Sequence, residues 1–345
     1  MKNSYLDTIE IISDFCGKFK ENGEFEKRFV PKKKKSLLLA ESYKRLEYWG
    51  KYESVKDCGS FLEFVHAVDG NRVKVDGKLN RANFCKDRLC PMCNWRRSYK
   101  IFSQVSQIMN VIGNKYQFLF LTLTVPNCEG FELKEKIDLL LKAWRKLTYH
   151  KKYKEVVQGS FRALEITRNK ENGSFHPHFH VVLAVPLDYF VNAALYISHD
   201  IWLKMWRKAT GDNSIKFVNI KKMRGKKDLD GQECSDFLSS AVAESAKYAV
   251  KDSDYIISDD NDLTDTLVYI LSDALHRRQL VNFSGVFAET RRNLKLDDVE
   301  QGDLVHIDGK IEPSLSYMIV RYGWSTGCYK MVDNYIVKRI DENYE

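Results

Sequence analysis

No stretch of this chain stays apolar long enough to cross a bilayer as a helix. The most apolar run, FLFLTLTVP at residues 118–126, falls far short of the ~20 residues such a span needs and reads instead as a buried strand. The opening MKNSYLDTIEIISDFCGKF sets acids inside its apolar stretch and has no small-residue cleavage site, so neither a secretory leader nor a membrane partner is expected. Internal repeats and low-complexity tracts are also lacking, which sets aside repeat architectures. Acid is in deficit: 55 Lys and Arg stand against 47 Asp and Glu, a net charge of +8 that suits a polyanionic partner.

What is present describes a folded chain. The 345 residues are 44% hydrophobic and 30% charged, close to globular averages and enough for one large domain or two to three smaller ones. Basic residues gather at 32–35, at Arg96 and Arg97, over 221–227, and at Arg291 and Arg292. Charge alone fits a solvated lysine-rich surface as well as a nucleic-acid contact, so the motifs must decide. Eight cysteines without a leader imply thiols or metal ligands in a reducing, cytoplasmic compartment rather than disulfides.

Residues 1–55 hold the basic run PKKKKS, read as a flexible arm, followed by SLLLAESYKRLEYW with helical apolar spacing. Residues 56–110 are rich in turns and cysteines and need a metal staple to fold. Next come the strand QFLFLTLTV, a helix over about 133–149, a hairpin, and helices over about 191–209 and 236–251. This β-α-β-β-α-α order favours an α+β fold with helices on a central antiparallel sheet, plus the small cysteine module. The expected domain at 111–295 carries the chemistry, and 296–345 is a C-terminal extension.

In the hairpin, GSFRALEIT and FHPHFHVVLAV flank Asn172 and Gly173, a pair that suits a two-residue turn. That turn sets Glu165 opposite His180 and Thr167 opposite His178, so Glu165, His178 and His180 converge on one cation. Open coordination positions suit a metal that polarises a substrate oxygen, with Mn²⁺, Mg²⁺ and Zn²⁺ equally compatible. Pro177 marks an edge strand or a strand start, which leaves the role of His176 open.

Further on, AVAESAKYAVK places Glu244, Tyr248 and Lys251 at i, i+4 and i+7 on one helical stripe. An acid, a phenol and an amine there suit base, nucleophile and phosphate cation, although for the segment alone an exposed Glu–Lys pattern with an incidental tyrosine is the better explanation, and only its context reverses that. Upstream, Cys85, Cys90 and Cys93 read C-x4-C-x2-C, and Cys58 completes a four-thiolate structural zinc site, with His66 its rival. Trp95, Arg96 and Arg97 follow directly and are candidate DNA contacts, or the start of an ordinary helix. Cys16, Cys128, Cys234 and Cys328 show no ligand spacing.

Together these segments resemble the plasmid rolling-circle replication initiators of the HUH endonuclease superfamily, in the group with a Glu and a single Tyr on the active-site helix. FLFLTLTVPN is similar to that family's first motif, HPHFHVVLAV to its His-hydrophobic-His motif and ESAKYAVK to its third. FCKDRLCPMCNWRRSYK resembles its cysteine signature and HRRQLVNFSG a later segment, so the resemblance spans roughly residues 56–292.

The resemblance implies an RRM- or ferredoxin-like nicking domain with His178 and His180 as ligands of a catalytic Mn²⁺ or Mg²⁺ and Glu165 as the third. It implies Tyr248 as nucleophile, Lys251 as the lysine of the YxxK pattern and Glu244 as hydrolytic base. The expected partners are plasmid origin DNA, double-stranded and extruded as single strand, a host helicase and a second copy of the chain. Some initiators carry a second tyrosine one turn on, where this chain has Asp252. A single-tyrosine HUH transposase and a non-catalytic zinc-module regulator are the rival readings.

Overall fold

The structure is a computed structural model that describes residues 24–69, 72–73, 77–223, 226–227, 233–234, 242, 249–307 and 316–337. The chain divides into two compact units, residues 1–96 with 303–345, and residues 97–302.

In the first unit α1 (Glu24–Arg45) and α2 (Trp49–Asp57) accompany a five-stranded antiparallel sheet. Its strands are β1 (Phe61–Asp69), β2 (Arg72–Val73), β3 (Lys78–Ala82), β11 (Ser316–Ser325) and β12 (Cys328–Val337). β1 pairs with β11 from Phe61↔Gly323 to Val68↔Ser316, and β11 pairs with β12. The stretch read as a C-terminal extension is therefore part of the sheet that the cysteine region begins. Val65, Tyr317 and Ile319 form a shared apolar cluster, and the buried Glu63 is satisfied by Arg321 Nε at 2.7 Å and Asn80 Nδ2 at 2.8 Å.

The basic run is not a loose arm. PKKKKS lies inside α1, where Lys33 is fully buried while Lys34 is exposed. Helical spacing turns neighbouring lysines to different sides, so a run of like charge folds once one member finds partners inside.

α3 (Pro91–Ile112) begins in the first unit and continues into the second. There β4 (Tyr116–Thr124), β5 (Gly159–Arg168), β6 (Phe175–Pro186), β7 (Asn219–Lys222) and β10 (Val281–Gly285) form an antiparallel sheet in the order β10-β5-β6-β4-β7. The two-residue strands β8 (Lys226–Lys227) and β9 (Glu233–Cys234) pair separately.

Further helices are α4 (Leu133–Thr148), α5 (Lys151–Val156), α6 (His199–Thr210), α7 (Asn261–Ala274) and α8 (Val286–Asn293). On one sheet face Phe179 meets Trp144 of α4 edge-on at 6.2 Å, and Trp202 of α6 meets Tyr153 of α5 at 6.1 Å. Along β4, Leu119, Leu121 and Leu123 are buried and Phe120, Thr122 and Thr124 half-buried, so the opposite face is the polar one.

The α+β class with helix-flanked antiparallel sheets is as expected, with two five-stranded sheets in place of one. Among the described residues no helix is long and apolar enough to cross a membrane.

Gly285 ends β10 at φ 54°, and a Cβ there would lie 2.1 Å from the Gln158 carbonyl oxygen. Backbone strain and overpacking act together at this position. Gly285→Ala is expected to lower unfolding free energy by about 2–4 kcal/mol, read from the midpoint of denaturant unfolding.

Candidate metal centres and active site

The β5–β6 register brings the three expected ligands together, though by a different pairing. Glu165 faces His178, Ala163 faces His180, and Thr167 faces His176. The expected register was two residues off because the turn is longer than two residues. Asn169 N donates to the Ser174 carbonyl and Gly173 N to the Asn169 carbonyl, each at 2.9 Å, with Gly173 left-handed at φ 76°. Asn172 Oδ1 accepts from Ser174 N at 3.0 Å instead of sitting in a two-residue turn. A shift of two keeps every side chain on its face, so the convergence survives the correction.

His180 Nε2 lies 2.7 Å from Glu165 Oε2 and 3.2 Å from His178 Nε2, and His178 Nε2 lies 3.5 Å from the same carboxylate oxygen. All three residues are buried, and their ligand atoms are close enough to hold one ion. Burial opposes ionisation of Glu165, but hydrogen bonds to His178 and His180 outweigh it and hold the carboxyl well below the usual range.

The imidazoles are aimed by neighbours. His178 Nδ1 donates to the His176 carbonyl at 3.0 Å, which leaves Nε2 to act as a ligand. His180 is flanked by Thr122 Oγ1 at 3.4 Å and by the Phe120 ring, stacked at 5.3 Å. His176 is half-buried, engages Asn127 Oδ1 through Nδ1 at 2.6 Å and is not part of the ligand group.

Pro177 lies near the start of β6, and because β4 ends opposite His178 the strand is locally an edge on that side. Its partner Ile166 donates N–H away from β6, to the Ala249 carbonyl at 2.6 Å, so Pro177 removes no ladder bond from this pair.

Tyr248 and Glu244 lie outside the described residues, as does most of the helix expected over 236–251. Val242 is helical and buried. Ala249 and Val250 are not helical: Val250 forms a parallel bridge with Ile166, and Lys251 is exposed and extended at φ −72°, ψ 140°. The expected helix therefore does not include Ala249–Lys251, because the backbone there pairs with β5 next to Glu165.

Cys58, Cys85, Cys90 and Cys93 form the second ligand group. Cys58 Sγ lies 3.5 Å from Cys90 Sγ and Cys93 Sγ, and Cys85 Sγ 3.7 Å from Cys93 Sγ. The edge of a tetrahedron of sulfurs at zinc–thiolate distance is about 3.8 Å. His66, the rival of Cys58, is instead on β1 opposite Met318. Backbone N–H groups of Cys85, Lys86 and Asp87 point at Sγ of Cys58, Cys93 and Cys85 at 3.2–3.4 Å. Cys90 and Cys93 stand at the start of α3, where the helix dipole favours anions.

Burial opposes a thiolate at Cys90, but hydrogen bonds from Cys58, Cys85, Cys93 and Ser36 hold its thiol well below the usual range. Hydrogen bonds with Cys85 and Cys90 push Cys58 up, and those with Cys58, Cys85 and Cys90 push Cys93 up, in each case aided by burial. The cluster holds one negative charge easily, and four thiolates need a cation. Cys128 and Cys328 are free thiols outside both groups.

The DNA-facing role expected of Arg96 and Arg97 does not fit their surroundings. Arg96 is buried and donates to the Leu304 and Val305 carbonyls, each at 2.9 Å; Arg97 is buried and donates to the Glu300 carbonyl at 3.1 Å. Trp95 is half-buried, edge-on to Phe29 at 5.0 Å.

Comparison with known proteins adds the lineage. Residues 76–330 match the family described as "Replication protein". The chain belongs to that family. A "Protein rep" of Bacillus amyloliquefaciens is 37% identical over 89% of this chain and 93% of that protein. Another from Streptococcus pneumoniae is 36% identical over 79% and 81%, and one from Staphylococcus aureus 36% over 67% and 95%. No solved structure matches. The family match takes in Cys85, Cys90, Cys93 and the β5–β6 hairpin and begins after Cys58.

Sequence reasoning did not reach the residues around the ligands. Thr122 and Asn127 lie in the same first motif as the strand it recognised. Lys33 had no distinguishing sign within its run, yet its Nζ donates to the carbonyls of Lys56 at 2.6 Å and Cys58 at 2.8 Å. Burial lowers its ammonium pKa, opposed by the negative charge of Cys58, Asp57 and Cys90.

Cys93 Sγ is buried and lies 3.5 Å from Cys58 Sγ and 3.7 Å from Cys85 Sγ, so Cys93→Ser takes one sulfur from a group that could hold an ion. The variant is expected to lose most of its tightly bound metal and several degrees of thermal stability. Elemental analysis and a melting curve of the purified protein check this, and full metal content in the variant would reject the group as a site.

Proposed function

We propose that this replication protein initiates rolling-circle replication of a plasmid by nicking one strand at its origin. The observation that supports this best is the Glu165–His178–His180 group beside the backbone at Ala249, the residue directly after Tyr248. The family match favours an initiator over a transposase or a non-catalytic regulator.

Glu165, His178 and His180 would hold Mn²⁺ or Mg²⁺, with two imidazoles and one carboxylate leaving positions for substrate oxygens. When bound, such a cation polarises a scissile phosphate and favours departure of the 3′ oxygen. Tyr248 attacks that phosphate in line with its phenolic oxygen. A P–O bond to Tyr248 forms as the P–O3′ bond breaks, leaving a 5′-phosphotyrosyl link and a 3′-OH primer. A phenol of ordinary pKa about 10 is a weak nucleophile at neutral pH, so its proton must leave during the attack. Lys251 carries an exposed ammonium directly after the Val250–Ile166 bridge and offsets charge on the phosphoryl oxygens.

Glu244 activates water at the regenerated origin, which ends the cycle by hydrolysis where Asp252 supplies no second phenol. The four cysteines hold structural zinc, and a host helicase and a second copy of the chain act with the enzyme at the origin.

Incubating the protein with supercoiled plasmid bearing its origin and Mn²⁺ should give nicked circles and a covalent protein–DNA adduct. Tyr248→Phe is expected to lower adduct formation by at least a thousandfold while DNA binding stays within about threefold, because only the phenolic oxygen is lost. Adducts at the wild-type level in that variant would refute the nucleophile.

Glu244→Ala separates the two ends of the cycle. It should nick at close to the normal rate and release hydrolysed product at least tenfold more slowly, with plasmid multimers accumulating. Equal, near-normal rates for both steps would reduce Glu244 to a surface partner of Lys247 or Lys251.

A further inference from the structure

α1 (Glu24–Arg45) carries a charge distribution that the catalytic reading does not use. Residues 27–40 contain six cations and no acid. Lys33 is turned inward beneath the cysteine cluster, where its ammonium is held by the Lys56 and Cys58 carbonyls. Lys27, Arg28 and Lys34 are exposed and Lys35 is half-buried. Lys27 and Lys34 stand seven residues apart, as do Arg28 and Lys35, so two parallel rows of cations run along one arc over about 10 Å of helix. The inward side carries Phe29, Ser36, Leu39 and Ala40, all buried.

We propose that this arc of α1 binds the phosphate backbone of duplex DNA, and so holds the origin before a strand is opened. The inference rests on the reading that the chain acts at an origin. Duplex is favoured over single strand by what the arc lacks. Sites for single strands pair cations with aromatic rings on which bases stack. The aromatic residue in this stretch, Phe29, is buried edge-on to Phe64 at 5.6 Å and Trp95 at 5.0 Å. A lipid surface is disfavoured because Leu38 is the one large apolar side chain of residues 27–40 that is strongly exposed, which gives the arc no apolar face to insert. Contacts of this kind position the duplex without reading its sequence.

The test measures the salt dependence of binding for the full chain. Binding of an origin duplex is titrated between about 50 and 200 mM salt for the wild type and for Lys27→Gln, Arg28→Gln, Lys34→Gln and Lys35→Gln combined. Each phosphate contact contributes about 0.9 to the slope of log affinity against log salt. The variant is expected to show a slope shallower by about 3 to 4 and at least a hundredfold weaker duplex binding at the low-salt end. Nicking of a short single-stranded oligonucleotide should stay within twofold. Unchanged metal content shows that the fold persists, and Lys→Arg changes at 27, 34 and 35 should keep the wild-type slope. An unchanged slope for duplex overturns the proposal, and so does a loss confined to a single-stranded oligonucleotide or to anionic lipid vesicles. Should the wild type nick no plasmid, the nicking reading fails, while the duplex titration still decides this one.

Discussion

Glu165 faces His178 across the β5–β6 ladder, with His180 two residues further along the same face, so three ligand atoms meet through strand pairing rather than through any local motif. A slip of one residue would turn Glu165 to the other side of the sheet and dissolve the group. What prevents the slip lies on the opposite face, where Phe179, Val181 and Leu183 are fully buried. A slip would exchange these positions with those of His178, His180 and Val182 and break the packing of Phe179 against Trp144. The apolar face thus fixes the register that the polar face uses. Glu165 is tolerable in so buried a place because two imidazoles meet its carboxylate, the condition under which a buried charge is stable.

The cysteine group solves a related problem in a different way. Its sulfurs come from the end of α2, a turn and the start of α3, so the group joins pieces that are far apart in the sequence. Backbone N–H groups, the α3 dipole and the Lys33 ammonium all present positive charge to the sulfurs. This stabilises one thiolate among thiols and prepares the site for a cation that can bind all four. Lys33 also satisfies the carbonyls at the end of α2, so the residue that supplies charge is the one that docks α1 onto the cluster.

The sequence made the metal hairpin legible because a period of two survives any even error in the turn. Reading Asn172 and Gly173 as a two-residue loop misplaced Glu165 by two residues, but the face was right, so Glu165, His178 and His180 still lie together in a group that could hold an ion. The cysteine set was legible through spacing, which resolved Cys85, Cys90 and Cys93 and left Cys58 open against His66. Other features left no local sign. Arg321 reaches Glu63 across 258 positions of chain, and nothing near either residue marks the pairing of β1 with β11. Helix was expected through Lys251 because nothing in AKYAVK breaks one, yet Ala249–Lys251 are not helical. Pairing of Val250 with Ile166 then claims backbone groups that propensity assigns to the helix.

Burial of cations changes what the net charge of +8 means. Lys33, Arg96, Arg97 and Lys100 are all at most 5% exposed, and three of them fall in the clusters that first suggested a polyanionic partner. Lys100 is neutralised by Asp297 at 2.8 Å, and the guanidinium groups of Arg96 and Arg97 are committed to backbone carbonyls. A phosphate could reach these groups only by breaking bonds that the interior cannot replace, so their charge is structural. Cations able to meet a polyanion must come from exposed positions. In the second unit, Lys221 and Lys222 on strand β7 at the end of the described sheet order are of that kind. Lys221 pairs with Phe120, whose ring stacks on His180, so this exposed ammonium shares the face of the metal ligands. Strand β7 thereby sets positive charge on the face of the Glu165–His178–His180 group without burying it, which the arginine pair after the cysteines does not do.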